Sequence, residues 1–129
     1  ERYGIGDCKI AEKFLEMIQE HNLLDNDNNL HILEALFISL RTQSHSYVEN
    51  FVKLDGNEHL KNLLSECSRR SGLEQHATAI LLCFRALLNS TIGRLAVLSS
   101  DATLCVIASS TCLQSAKCKI LPFFFFDKI

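Results

Sequence analysis

The sequence contains no tryptophan, one proline (Pro122), one methionine and five glycines in 129 residues. So few chain breakers argue against a turn-rich sheet architecture and leave an all-helical fold as the expectation. No apolar run reaches the roughly 18 residues of a membrane-spanning helix. The N-terminus also lacks the basic stretch and apolar core of a signal peptide. A soluble intracellular protein with no membrane span is expected. Neither sign of charge dominates: 13 Lys plus Arg stand against 15 Asp plus Glu, a net charge of -2. That balance gives no general attraction to nucleic-acid phosphates or an anionic bilayer, so no nucleic-acid partner is expected.

Reaction centres are missing as well. There is no Gly-rich phosphate loop, GxSxG elbow or HExxH helix. The six cysteines (Cys8, Cys67, Cys83, Cys105, Cys112, Cys118) include no CxxC pair. The five histidines (His21, His31, His45, His59, His76) are scattered singly. No spacing therefore matches a zinc site, and neither metal nor other cofactor is expected. Cys83 follows His76 by two helical turns, a spacing that would permit a Cys/His nucleophile. The alternative is a buried thiol beside a surface imidazole. With no positive signal for catalysis, the chain reads as not an enzyme.

What the sequence does hold is apolar residues in helical register, 47% of the chain, enough for one domain core. Ile10, Phe14, Leu15 and Ile18 predict a helix from about Lys9 to His21 with Asp7 as its cap. Leu24 to Asn29 form a polar turn, because Asn and Asp bond their own backbone. Leu30, Leu33, Leu36, Phe37 and Leu40 predict a helix ending near Arg41 to Ser44. Ser46 is expected to cap a short helix bearing Tyr47, Val48, Phe51, Val52 and Leu54. That helix should stop at Asp55-Gly56, with glycine supplying the left-handed end. Leu60, Leu63 and Leu64 mark another helix, and Ser68 to Gly72 read as a loop with two solvated arginines. Ala77, Ile80, Leu81, Phe84, Leu87 and Leu88 make Glu74 to Asn89 the longest, central helix. Thr91 to Leu98 and Asp101 to Ser109, capped by Asp101, follow, and a last helix is expected to start around Ser115.

These helices repeat. The stretch Leu33 to Thr42 lines up with Leu81 to Ser90 at an offset of 48 residues, each a long helix ending in a polar corner. Leu54, Leu60 and Leu63 match Leu98, Leu104 and Ile107 at an offset of 44. A period in the forties with three helices per unit is an armadillo or HEAT signature. Each unit needs its neighbours to bury its apolar face, and the long helices line a groove suited to peptides.

The first corner, Leu40-Arg41-Thr42-Gln43-Ser44-His45-Ser46-Tyr47-Val48-Glu49-Asn50-Phe51-Val52-Lys53-Leu54-Asp55-Gly56, resembles the armadillo region of Diaphanous-related formins. The second, Cys83-Phe84-Arg85-Ala86-Leu87-Leu88-Asn89-Ser90-Thr91-Ile92-Gly93-Arg94, is similar to a second stretch of the same region. Phe51 to Gly56 and Gly93 to Ala108 look closest to the Dishevelled-associated activators of morphogenesis. The resemblance implies an armadillo superhelix, right-handed and built of short helices, that regulates an actin-nucleating protein. Its groove would hold that protein's own C-terminal autoregulatory segment until a Rho-family GTPase in the GTP form displaces it. Actin would be touched only indirectly, and the protein would be cytoplasmic and cytoskeleton-associated. By the family's pattern the GTPase docks on the first corner, here Ile38, Arg41, Thr42 and Gln43. Several family members carry asparagines there, so Arg-Thr-Gln leaves the choice of GTPase open. Arg41 and Thr42 also suit a plain helix cap, Arg being favourable at the negative end of the dipole. Asn89, Lys117 and Ile120 fall on the implied autoregulatory groove, Asn89 having a local cap as its other reading. A scaffold of the engulfment and motility type, which carries a related armadillo region, is the alternative.

The pattern breaks at Leu121-Pro122-Phe123-Phe124-Phe125-Phe126-Asp127-Lys128-Ile129. A proline inside a helix costs about 3 kcal/mol, and four consecutive phenylalanines have no helical period. The expected organisation is an armadillo domain over residues 1–120, with a third repeat cut short, and an atypical tail over 121–129. The start at Glu1 without Met points to a fragment.

Overall fold

The computed structural model describes Glu12, Leu15, Glu16 and residues 30–42, 44–70 and 72–114, the last four of these in backbone only. Six helices run through the described residues: α1 (Leu30–Thr42), α2 (His45–Lys53), α3 (Gly56–Arg69), α4 (Glu74–Leu88), α5 (Thr91–Leu98) and α6 (Asp101–Gln114). No strand occurs among them. Glu12, Leu15 and Glu16 are helical and Leu15 is buried, as the apolar spacing there requires. The turn at 24–29, the helix expected around Ser115 and the tail lie outside the described residues.

The helices form two units of a long, a short and a long element. Like packs on like: α1 lies against α4, α2 against α5 and α3 against α6. That pairing is what an armadillo-type repeat demands, since no single unit can bury its own apolar stripe. In α1 the buried residues are Leu33, Leu36 and Leu40, one helical face. In α4 ten of fifteen residues are buried, because this helix touches α1, α3, α5 and α6 at once. Phe84, Ile80, Leu81, Leu87 and Leu88 are fully enclosed there. Each such side chain contributes about 1.5–3 kcal/mol of apolar burial. The axes of α4 and α5 turn through 119° at the corner between them.

Local chemistry differs from expectation at five places. Ser44, not Ser46, caps α2, its hydroxyl accepting from the Tyr47 N–H at 3.4 Å. Likewise Ser100, not Asp101, caps α6, accepting from the Thr103 N–H at 3.2 Å. In both, the residue just outside the first turn reaches the amide three positions on. At Asp55-Gly56 the roles are reversed. Asp55 takes the left-handed conformation (φ 62°, ψ 33°), and Gly56 opens α3 as a buried residue. Helix α3 runs on to Arg69, so Ser68 and Arg69 end a helix rather than starting a loop. Its last turn is held by Ser68 bonding the Ser65 carbonyl at 2.8 Å and by the Arg69–Glu66 pair. Helix α6 likewise extends past Ser109 to Gln114.

The repeat register also shifts. In α3 the buried side chains are Leu60, Leu64 and Cys67, and in α6 they are Thr103, Ile107 and Ser110. Burial therefore equates the two helices at an offset of 43, one residue less than the apolar match implied. The apolar match misses this because α6 buries two polar residues, Thr103 and Ser110, where α3 buries Leu60 and Cys67.

Candidate binding corner

At the end of α1 apolar and charged side chains stand together outside the core. Ile38, Arg41 and Thr42 are spaced three and four residues apart, hence on one face of the last turn. All three are exposed, Ile38 to 53%. The Arg41 guanidinium lies over the Phe37 ring at 5.3 Å from its centroid. That stacking orients the side chain and leaves its donors facing out. Among the described residues no carboxylate pairs with Arg41. Thr42 donates its hydroxyl to the Ile38 carbonyl at 2.7 Å, closing the helix end. Thr42 therefore closes the helix end, while Arg41 is exposed beside it. Gln43 lies outside the described residues.

A second corner follows α4. Asn89 is exposed and is the C-cap residue, its backbone N–H donating to the Ala86 carbonyl at 3.2 Å while the Ser90 N–H donates to the Leu87 carbonyl at 3.2 Å. Ser90 caps α5 by accepting from Gly93 N–H at 3.0 Å and donates to Leu87 O at 3.3 Å. Arg94 donates from Nε to the Leu88 carbonyl at 3.1 Å, so a cation satisfies the negative end of α4. Because α2 packs on α5, both corners lie along one edge of the stack. Arg94 and the neighbouring Leu95, 65% exposed, were not singled out from the sequence. Their signal is the Gly93-Arg94-Leu95 step, where glycine lets the helix approach the preceding turn. Lys117 and Ile120 lie outside the described residues, so Asn89 is the one groove candidate whose position is given.

The His76/Cys83 pair does not form an exposed nucleophilic site. Cys83 is fully buried and donates its thiol to the Leu33 carbonyl of α1 at 3.6 Å. Burial alone pushes that thiol well above the ordinary range. His76 is buried too, at 2% exposure, which corrects the expected surface imidazole. It sits on the inward face because α4 is surrounded on most sides. Burial also raises Cys67 to about 11, partly offset by Arg70 and reinforced by Glu66. Neither thiol is an activated nucleophile near neutral pH. No single helix among the described residues is long and apolar enough to cross a membrane.

Stacked three-helix units with an outward-facing Arg and Ile at a corner define a helical-repeat protein of the kind that acts by binding other proteins. The profile of the Diaphanous GTPase-binding domain matches residues 9–121, and the chain belongs to that family. The chain is 33% identical over 89 residues to Disheveled-associated activator of morphogenesis 2 of Gallus gallus, covering 69% of this chain and 8% of that one. It is 30% identical over 96 residues to activator 1-A of Xenopus laevis, covering 74% and 9%. The human activator 1 matches at 31% over 88 residues, 68% and 8%. These relatives are Diaphanous-related formins, and the chain spans less than a tenth of their length. No solved structure matches the chain at a significant level.

Proposed function

We propose that the chain is the GTPase-responsive, autoinhibitory module of a formin, binding a Rho-family GTPase in its GTP form. The GTPase docks on the α1 corner through Ile38, Arg41, Thr42 and Gln43. The autoregulatory segment of the same formin lies along the long helices, touching Asn89, Lys117 and Ile120. The module restrains actin nucleation without contacting actin, performs no chemistry, and works in the cytoplasm at the cytoskeleton. The observation that carries this reading is the α1 corner: an Ile more than half exposed beside a ring-stacked Arg that no carboxylate among the described residues pairs, in a chain of a GTPase-binding family. Exposed apolar and Arg side chains at one spot are the usual material of a binding hot spot.

The test is calorimetric titration of the chain with GTP-loaded and GDP-loaded Rho-family proteins and, separately, with an autoregulatory peptide. GTP-dependent binding that Arg41→Glu abolishes supports the docking site. Weakened peptide binding in Asn89→Ala supports the groove. A folded chain that binds none of these partners returns the protein to the scaffold reading.

A further inference from the structure

Two serines do the same job in the two repeats. Ser44 caps α2 and Ser90 caps α5, each accepting from the amide three residues on. Their surroundings differ. Ser90 is half-buried. Ser44 is exposed, as are Arg41, Thr42 and His45 around it. The sequence adds a second distinction. Arg41-Thr42-Gln43-Ser44 is the single place in the 129 residues where an Arg stands three positions before a Ser or Thr. That spacing is what a large class of protein kinases reads, through an acidic pocket that pairs with the guanidinium. Here the arginine so placed is one that no carboxylate among the described residues engages.

We propose that Ser44 is a phosphorylation site for an arginine-directed protein kinase, and that its modification controls the α1 corner. In the reaction the Ser44 Oγ forms a bond to the γ-phosphorus of ATP as the bond to the β–γ bridging oxygen breaks. ADP leaves, and the hydroxyl proton passes to the kinase's base. The product suits the fold. A phosphate at this cap lies at the positive end of α2, whose first turn carries no acidic residue. The new charge, about -1.5 to -2, falls beside Arg41 and competes for its guanidinium. The consequence for partner binding rests on the function proposed above, whereas the modification itself does not.

The folded chain is incubated with ATP and a kinase that selects Arg three residues before the acceptor, and the product is mapped by tandem mass spectrometry. One phosphate on Ser44 is expected, with Ser90 unmodified. Arg41→Ala, which keeps the hydroxyl and the cap, should lower the initial rate about tenfold, the worth of one charge-assisted contact. Phosphate on other residues alone overturns the assignment. So does a folded chain that stays unmodified while a peptide of residues 38–47 is modified. The modified chain should bind the GTP-loaded GTPase about tenfold more weakly, as one lost ion pair implies. Unchanged affinity of a chain phosphorylated on Ser44 overturns the control of the corner. Absence of GTPase binding in both forms overturns the function proposed above and leaves the mapped site standing.

Discussion

The ring of Phe51 fills the place where a side chain on Gly56 would stand: a Cβ there would lie 2.3 Å from Cε2. Phe51 has no exposed surface to swing into. Gly56→Ala is therefore expected to cost about 1–3 kcal/mol by overpacking. Gly93 is tighter still, since its Cβ would fall 2.1 Å from the Leu87 carbonyl oxygen, which belongs to the backbone and cannot rotate away. Gly93→Ala should lower the midpoint of urea unfolding more than Gly56→Ala does. The reverse order, read by circular dichroism, would mean that the second corner yields more readily than the Phe51 contact.

Asp55 gives the opposite sign. It holds a left-handed backbone without any side-chain capping bond in return. A non-glycine residue in that region is disfavoured by about 1–2 kcal/mol. Glycine recovers part of this and loses part to the freer unfolded chain. Asp55→Gly is expected to raise stability by about 0.5 kcal/mol on these grounds. A lower unfolding midpoint in the variant would sink the argument.

Thiol reactivity should sort by burial. Of Cys67, Cys83 and Cys105, Cys105 is exposed and should alkylate first at neutral pH, with modification mapped by mass. Burial raises Cys67 from 9.0 to about 11 in the folded chain. The folded state then holds its proton where the unfolded state releases it, so this contribution to stability is complete below pH 9. It is lost as pH climbs from 9 towards about 11. Cys67→Ala should flatten that alkaline decline, and an unchanged slope would assign the decline to other groups.

The α1 corner should be separable from the fold. Ile38 is more than half exposed, so Ile38→Asp should change stability by no more than about 0.5 kcal/mol. Leu36, two residues earlier, has no exposure, and Leu36→Ala should cost about 2–5 kcal/mol. Binding of the GTP-loaded GTPase should disappear in the first variant with the melting curve intact. A destabilised Ile38→Asp would instead place Ile38 in the packing.

Much of this architecture was legible in the chain. The spacing of Leu33, Leu36 and Leu40, and of Ile80, Phe84 and Leu87, carries helix periodicity without competition from Pro or Gly. The repeat was visible because both long helices end in a polar corner followed by a short helix. The candidate corner was named from its resemblance to a formin, and its exposed position is what the apolar stripe of α1 leaves over. Caps were misplaced because several neighbouring residues could serve. Ser44 and Ser46, or Ser100 and Asp101, are equivalent by type, and only the path of the chain chooses between them.

By itself, then, the sequence determined that the chain is helical, that its units repeat, and which faces must be covered. These follow from side-chain periodicity, which is local. The tertiary structure decided the rest, since contact depends on residues far apart in the chain. Packing of α4 among four neighbours buried His76 with the core, on the face it shares with Cys83, although a histidine by type is more often at the surface. Packing of Phe51 against the start of α3 required glycine at position 56 and pushed the left-handed turn back onto Asp55. The same packing of α3 on α6 aligned Leu64 with Ile107, a register that hydrophobicity could not reveal because Thr103 and Ser110 are buried beside it.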